Sequence, residues 1–259
     1  MNRTGEYIQG KADVLSIYFT AEYPQKGTTQ EVILSLQDAG VDLIEVGIPF
    51  SDPLADGPVI QKSSQQALKN GFTLDGLFED LKAIQADVTI PLVLMGYFNT
   101  ALAYGMERFL AACKNVGVDT VILPDLPLAI YKKSYTDFFA AYGVSPVFLI
   151  TPQTSNERIR QIDDLSNAFI YVVADNSITG GSGGFSTEQL HYFERIQARQ
   201  LSVPLIIGFG ISSHNTYRKA CEYAQGAIIG TAFIKALADS TNIKQTISTF
   251  IQSIKQDDA

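Results

Sequence analysis

The segment most suggestive of chemistry is LIEVGIPFSDPLADGP, at positions 43–58. Glu45 lies inside an apolar run, where a carboxylate is costly unless it has a partner or a chemical role. Asp56 follows in a loop whose shape is restricted by Pro49 and Pro53. A strand carboxylate and a loop carboxylate close together suit general acid–base catalysis. A buried structural ion pair is the alternative that these residues leave open.

Three glycine-containing segments could bind phosphate. They are ITGGSGG (178–184), GFGIS (208–212) and GTAF (230–233), the last of which runs into a helical pattern. Glycine lets the backbone approach a phosphate closely, and a helix N-terminus favours an anion. Each segment alone could be an ordinary turn or helix start. The three in this order predict a phosphate site.

These groups must be positioned by a regular alternation of apolar runs and amphipathic stretches. The apolar runs cover 14–20, 43–48, 91–97, 120–125, 145–151, 169–174, 204–210 and 226–232. They are rich in Val, Ile, Leu and aromatic residues, and several are continuous rather than alternating. Such runs are typical of parallel strands buried on both faces.

Eight strand–helix units in 259 residues predict an α/β fold, a closed (β/α)8 TIM barrel. We expect a single domain over 1–259, with an extra helix at 74–86 between the second and third strands. A doubly wound open sheet is the alternative, but the loop TAEYPQKG after the first strand lacks the dinucleotide-binding GxGxxG pattern. Loops that follow barrel strands carry the chemistry, so the carboxylates and glycines should meet at one mouth. Glu45 could face the barrel interior or the helix layer.

Composition excludes some functions. A net charge of −8 argues against broad binding to nucleic acids or anionic membranes, although backbone N–H groups can still bind a phosphate. Cys113 and Cys221 lie in helical patterns, without the spacing of a zinc site, and we expect free thiols. No apolar run suggests a signal peptide or a membrane span, so we expect a cytoplasmic protein.

The 43–58 block, followed in order by LMGYFN, PDLP, ITG, GFGIS and GTAF, closely resembles the tryptophan synthase alpha subunit family, as does the earlier YFTAEYP. The resemblance implies a lyase of tryptophan biosynthesis that cleaves indole-3-glycerol phosphate into indole and glyceraldehyde 3-phosphate by a retro-aldol reaction. It implies that Glu45 is the catalytic acid and base and that Asp56 binds the indole N–H. Asp125 would support the loop around Asp56.

The resemblance also implies the residues that bind the substrate. Tyr171 would lie near the reacting centre and Thr179 on a mobile loop over the site, while Gly180, Gly210, Gly230 and Thr231 would hold the phosphate. No metal or cofactor is implied for this chain, because pyridoxal phosphate belongs to the partner beta subunit. We expect an alpha2beta2 heterotetramer in which the beta subunit docks on Pro49–Pro53 and on 94–105.

The sequence departs from the family pattern at three places. Glu22 stands where the family usually has glycine, and Thr231 replaces a phosphate-loop serine. The loop usually written SRxGVTG reads ADNSITG, which introduces Asp175 and Asn176. The glycine-rich segment Asp175–Phe185 has little to bury, so we expect a mobile lid that closes when Thr179 bonds Asp56.

Two other functions deserve comparison. Another phosphosugar barrel, such as an isomerase or indole-glycerol-phosphate synthase, would explain the glycines but not the 43–58 block. The synthase should also have a lysine inside an early strand, and strands one to four contain none. A catalytically idle subunit that only activates a beta partner is disfavoured because Glu45 and Asp56 are both retained.

Overall fold

The barrel is closed by eight parallel strands in sequence order. The computed structural model describes residues 1–53, 56–174 and 184–256. The strands are β1 (Val14–Thr20), β2 (Leu43–Gly47), β3 (Leu92–Met95), β4 (Thr120–Ile122), β5 (Ser145–Ile150), β6 (Ile170–Val173), β7 (Leu205–Gly208) and β8 (Gly226–Ile229). The predicted TIM barrel is confirmed. That one domain spans all of 1–259 stays a prediction.

Helices surround the barrel and cover one of its ends. They are α1 (Arg3–Ile8), α2 (Thr29–Asp38), α3 (Pro58–Lys69), α4 (Leu74–Ala83), α5 (Phe98–Tyr104), α6 (Met106–Asn115), α7 (Leu128–Ile130), α8 (Thr136–Tyr142), α9 (Asn156–Leu165), α10 (Thr187–Gln197), α11 (His214–Cys221), α12 (Thr231–Ala238) and α13 (Ile243–Lys255). A π-helical turn, Tyr131–Tyr135, joins α7 to α8. The extra helix between β2 and β3 is α4. None of the helices described combines the length and apolarity needed to cross a membrane.

The predicted end of the last strand is wrong. The apolar run at 226–232 was expected to be one strand, but β8 ends at Ile229 and Thr231 already begins α12. The residues after Gly230 repeat with helical spacing and bury Phe233, Ile234 and Leu237, so the helical pattern prevails over the local β preference. The third, fourth and seventh strands also end earlier than predicted, which leaves longer loops at the mouth.

Two apolar layers hold the fold together. One lies inside the barrel, and the other lies between the outer faces of the strands and the helices. The interior layer contains Val14, Leu43, Val93, Ile122, Val147, Phe169, Tyr171, Ile206 and Ile228, together with Ile8 of α1. The α1 helix packs at the start of the strands, where the Asn2 side chain donates to the carbonyl of Asp119 at 2.9 Å. That end of the barrel is therefore plugged, and the opposite mouth is left for function.

Candidate active site

Glu45 points into the barrel interior. It lies on β2, level with Tyr18 of β1 and Val93 of β3, and its side chain is fully buried. Leu43, two residues earlier on the same face of the strand, belongs to the interior apolar layer. Of the two orientations that the sequence left open for the Glu45 side chain, the structure therefore has the one toward the barrel interior.

The two oxygens of the Glu45 carboxyl have different surroundings. Ser16 Oγ donates to Oε1 at 2.9 Å, whereas Oε2 has no hydrogen-bond partner among the described residues. Burial raises the pKa of Glu45 to about 8, and the Ser16 hydrogen bond opposes this rise. No ion pair within the described ranges includes Glu45, so the structural ion-pair alternative is wrong for that part of the chain.

Asp56 lies half-buried at the mouth, in the loop between β2 and α3. Tyr97 Oη donates to Asp56 Oδ2 at 3.3 Å, and Gln61 Nε2 donates to the Asp56 carbonyl at 2.9 Å. The Asp56 N–H donates to the carbonyl of Pro53 at 3.0 Å. Burial raises the pKa of Asp56, and the Tyr97 hydrogen bond partly opposes it. The carboxylate is therefore held by a side chain from the next strand–helix loop.

Asp125 supports this arrangement indirectly, through the backbone next to Tyr97. Its Oδ1 accepts the backbone N–H of Phe98 at 2.7 Å, at the start of α5. Tyr97 immediately precedes Phe98, so the contact fixes the backbone that carries the Tyr97 ring. Asp125 thus connects to Asp56 through Tyr97, which the sequence reasoning did not single out.

Two tyrosines line the mouth between the carboxylates and the glycines. Tyr171 is buried on β6, and half-buried Tyr18 lies on β1 next to Glu45. Each ring lies over a glycine of the following strand, Tyr18 over Gly47 and Tyr171 over Gly208, in space that a Cβ atom would occupy. Burial is the main cause that raises the pKa of both hydroxyls. The negative charges of Glu45 and Asp56 raise it further. They therefore remain protonated hydrogen-bond donors near neutral pH.

The glycine segments after β7 and β8 offer backbone rather than side chains. Gly210 has a φ of 76°, and no heavy atom of the part of the chain that the structure describes lies within 4 Å of where its Cβ would be. Gly230 is the N-cap of α12, and among the described residues no side chain caps that helix start. The N–H groups of the first turn, beginning with Thr231, are therefore suited to an anion. Phe209 is 43% exposed and lies edge-on to Tyr171, with ring centroids 6.0 Å apart.

Glu22 adopts the backbone conformation that explains the family's glycine. Its φ is 60°, in the left-handed region. The Glu22 carboxylate accepts the Gly27 N–H at 2.7 Å and the Thr29 hydroxyl at 2.9 Å, and so bridges the loop between β1 and α2. The side chain offsets a strain that glycine would avoid.

Some predicted residues lie outside the described part of the chain. These are Thr179 and Gly180, together with Asp175 and Asn176, so the lid remains a prediction. Within the described residues, no group of three or more His, Cys, Asp or Glu side chains could hold a metal ion. Cys113 is buried and Cys221 half-buried, and both are free thiols, as expected.

The fold and the site define a class of protein. A plugged (β/α)8 barrel has two carboxylates of raised pKa at its open mouth, near the uncapped start of a helix that follows the last strand. Such an arrangement is that of a barrel enzyme performing proton transfer on an anionic substrate.

The comparisons with known proteins identify the family. The profile described as "Tryptophan synthase alpha chain" matches residues 7–258. The tryptophan synthase alpha chain of Flavobacterium psychrophilum is 52% identical over 254 residues, which cover 98% of this chain and 100% of the relative. That of Christiangramia forsetii is 50% identical over 255 residues, covering 98% and 99%. The chain therefore belongs to the tryptophan synthase alpha chain family, as the motifs suggested, and is a lyase of tryptophan biosynthesis.

Solved structures agree with this assignment. Tryptophan synthase subunit alpha from Legionella pneumophila superposes with a TM-score of 0.88 at 29% identity, covering 98% of this chain and 97% of that one. The tryptophan synthase complex from Pyrococcus furiosus gives a TM-score of 0.83 at 31% identity, covering 94% and 98%. The likeness extends over the whole barrel and is not confined to the site.

Proposed function

We propose that Glu45 and Asp56 together cleave indole-3-glycerol phosphate into indole and glyceraldehyde 3-phosphate. The observation that carries this proposal is the state of the Glu45 carboxyl. Burial raises its pKa to about 8, and one of its oxygens has no partner among the described residues. A carboxyl that is protonated at neutral pH can act first as an acid and then as a base.

The proton balance closes with this one carboxyl. Glu45 gives its proton to C3 of the indole ring, and the ring nitrogen becomes positively charged. Asp56, which would accept the indole N–H, stabilises that charge. The Glu45 carboxylate then takes the proton of the side-chain hydroxyl next to C3. The carbon–carbon bond breaks, its electron pair restores the neutral aromatic ring, the aldehyde forms, and Glu45 is protonated again.

The glycine segments would anchor the other end of the substrate. We assign the phosphate to the loop at Gly210 and to the backbone at Gly230 and Thr231, where α12 begins without a cap. Gly180 is assigned to the same phosphate site from the family motif, and Thr179 is assigned to the loop over the site. Tyr171 would lie between this anchor and the carboxylates. Binding energy from the phosphate can then orient the indole for proton transfer.

No metal or cofactor is proposed for this chain, because the proton transfers above balance without one. We assign pyridoxal phosphate to the beta subunit of an alpha2beta2 assembly, and we place the protein in the cytoplasm. The loops after β2 and β3 support the proposed docking surface. Phe50 stacks on Tyr97 at 4.9 Å, Tyr97 bonds Asp56, and Leu102 on α5 is 42% exposed. Docking there would act directly on the position of Asp56.

The Glu45→Gln variant tests the catalytic assignment. We expect the release of indole from indole-3-glycerol phosphate to fall about 10²–10⁴-fold, because a general acid and base is lost while the side-chain shape is kept. The matched control is Glu107→Gln on α6, an exposed carboxyl that bonds Tyr142 and should have no effect on activity. Near wild-type turnover in Glu45→Gln would contradict the proposal.

The docking surface is tested separately with a cognate beta subunit. Leu102→Asp should weaken the binding of that subunit and reduce its effect on indole release. Leu68→Asp is the control, because Leu68 is also exposed but lies near the end of α3 far from Asp56. If Leu102→Asp bound and responded like the wild type, the beta subunit would dock elsewhere.

A further inference from the structure

A buried hydroxyl contacts the Glu45 carboxyl from the neighbouring strand. Ser16 is fully buried in β1 and lies opposite Leu43 in the strand register, and Tyr18 lies opposite Glu45. Ser16 lies on the same face of β1 as Val14, and this face points into the apolar barrel interior. A hydroxyl in such a place is unfavourable unless it makes a hydrogen bond, and Ser16 Oγ donates to Glu45 Oε1 at 2.9 Å.

This contact makes the two carboxyl oxygens unequal. Oε1 accepts a hydrogen bond from the Ser16 hydroxyl, and Oε2 has no partner among the described residues. If the acidic proton sat on Oε1, it would have to point at Ser16 Oγ, and the serine proton would then need another acceptor. The Ser16 bond therefore favours the tautomer whose acidic proton is on Oε2. That is also the oxygen without a partner among the described residues.

We propose that Ser16 is a positioning residue that holds Oε1 of Glu45, so that Oε2 delivers and recovers the proton. The inference rests on the proposed role of Glu45. Ser16 itself touches neither the substrate nor the reacting atoms. It acts by restricting the orientation of the carboxyl and by bonding the ionised form more strongly than the neutral one.

Four other titratable side chains lie around Glu45. Those that interact with it are Tyr18 from β1 and Tyr171 from β6, and Asp56 and Tyr97 lie beside them at the mouth. Burial raises the pKa of both barrel tyrosines further above neutrality. It also raises the pKa of Asp56 from the ordinary value of 3.8. A titration near pH 8 that is lost in Glu45→Gln is therefore assigned to Glu45.

Removal of the Ser16 hydroxyl has two expected consequences. In Ser16→Ala the ionised carboxylate loses a donor, so the pKa of Glu45 should rise by about one unit. Activity that requires the protonated acid should then persist to higher pH. Turnover at neutral pH should nevertheless fall about tenfold with little change in the Michaelis constant, because the proton is no longer directed from one oxygen.

The experiment compares Ser16→Ala with Ser63→Ala in the full-length protein. Ser63 on α3 is also buried. Its hydroxyl bonds Thr20, which lies on β1 as Ser16 does, at 2.7 Å, and it bonds the Ile60 carbonyl at 2.9 Å. The control therefore removes an equivalent buried hydroxyl without touching Glu45. For each variant we would measure the pH profile of indole release and titrate the infrared band of the protonated carboxyl that Glu45→Gln removes.

The expected result is an upward shift of both midpoints in Ser16→Ala and none in Ser63→Ala. Ser16→Cys, which keeps a weaker donor of similar size, should shift less and covers the case in which the alanine variant does not fold. Unchanged midpoints in both Ser16 variants, or an equal shift in Ser63→Ala, would overturn the positioning role. An active Glu45→Gln would instead overturn the proposed function itself.

Discussion

The two sides of the barrel mouth use opposite means to handle charge. The carboxylate side, formed by Ser16, Glu45, Asp56 and Tyr97, uses buried and half-buried side chains, and burial raises the pKa of both of its carboxyls. The glycine side, formed by Gly210 and Gly230–Thr231, offers exposed backbone and an uncapped helix start. Proton transfer needs ionisable groups that are shielded from water. Binding of an anion needs accessible backbone N–H groups and residues with small or no side chains.

Glycines occur on both sides for different reasons. At Gly47 the Tyr18 ring occupies the space that a Cβ would need, so glycine is required by packing. At Gly210 that space is empty, and glycine is required by a φ of 76°. The same residue type therefore marks a close contact beside the carboxylates and a backbone turn at the proposed phosphate site.

Among the further variants that test this comparison, Asp56→Asn should have the largest effect. Loss of the negative charge near the indole nitrogen should lower turnover about 10²–10³-fold while the Michaelis constant changes little, since the charge develops mainly in the transition state. Steady-state kinetics on indole release measure both constants. Asp52→Asn, in the same loop but exposed, is the control. A higher Michaelis constant with normal turnover would make Asp56 a binding residue only.

Glu45→Gln should also make the barrel more stable at alkaline pH. Folding raises the pKa of Glu45 from an ordinary 4.5 to about 8. As the pH rises through this window the unfolded chain loses the proton and the folded chain keeps it, so the wild type is progressively destabilised. Glutamine has no proton to lose, and by pH 8 the variant should gain about 4 kcal/mol relative to pH 4.5.

Urea unfolding of the wild type and Glu45→Gln at both pH values measures this gain, with Glu107→Gln as the exposed control. A stability difference that stays constant with pH would show that the Glu45 carboxyl is not shifted.

On the glycine side, Gly230→Asp should raise the Michaelis constant about tenfold and leave turnover nearly unchanged, because a carboxylate at the start of α12 repels the substrate phosphate. Gly230→Ala is the matched control. Its Cβ would lie 3.4 Å from Tyr18, an ordinary contact, at a φ of −117° that any residue adopts. If the two variants had the same Michaelis constant, the phosphate would bind away from this helix.

The smallest effect concerns the loop beside the carboxylate side. Glu22→Ala keeps the left-handed backbone and loses both carboxylate hydrogen bonds, whereas Glu22→Gly loses the bonds but relieves the backbone strain. Glycine should therefore be more stable than alanine by about 1 kcal/mol. Thermal unfolding of the two variants measures this difference. Equal stabilities would indicate that the loop rearranges when the carboxylate is removed.

The sequence alone was enough to predict the barrel and to single out the two carboxyls of the proposed site. Eight apolar runs with helical stretches between them specify parallel strands, because strands buried on both faces need continuous apolar sequence. Glu45 was conspicuous because a carboxylate inside such a run needs a reason, and Asp56 because it follows in the same constrained block. Local pattern was sufficient for features contained within one strand–loop segment.

Only the tertiary structure decided how that centre is surrounded. Alternation along a strand defines two faces but not which face the closed barrel encloses, so the inward direction of Glu45 required the barrel itself. The bonds from Ser16 to Glu45 and from Tyr97 to Asp56 join different strand–helix units. Such contacts arise when the barrel closes and brings strand ends together, and local spacing contains no signal for them.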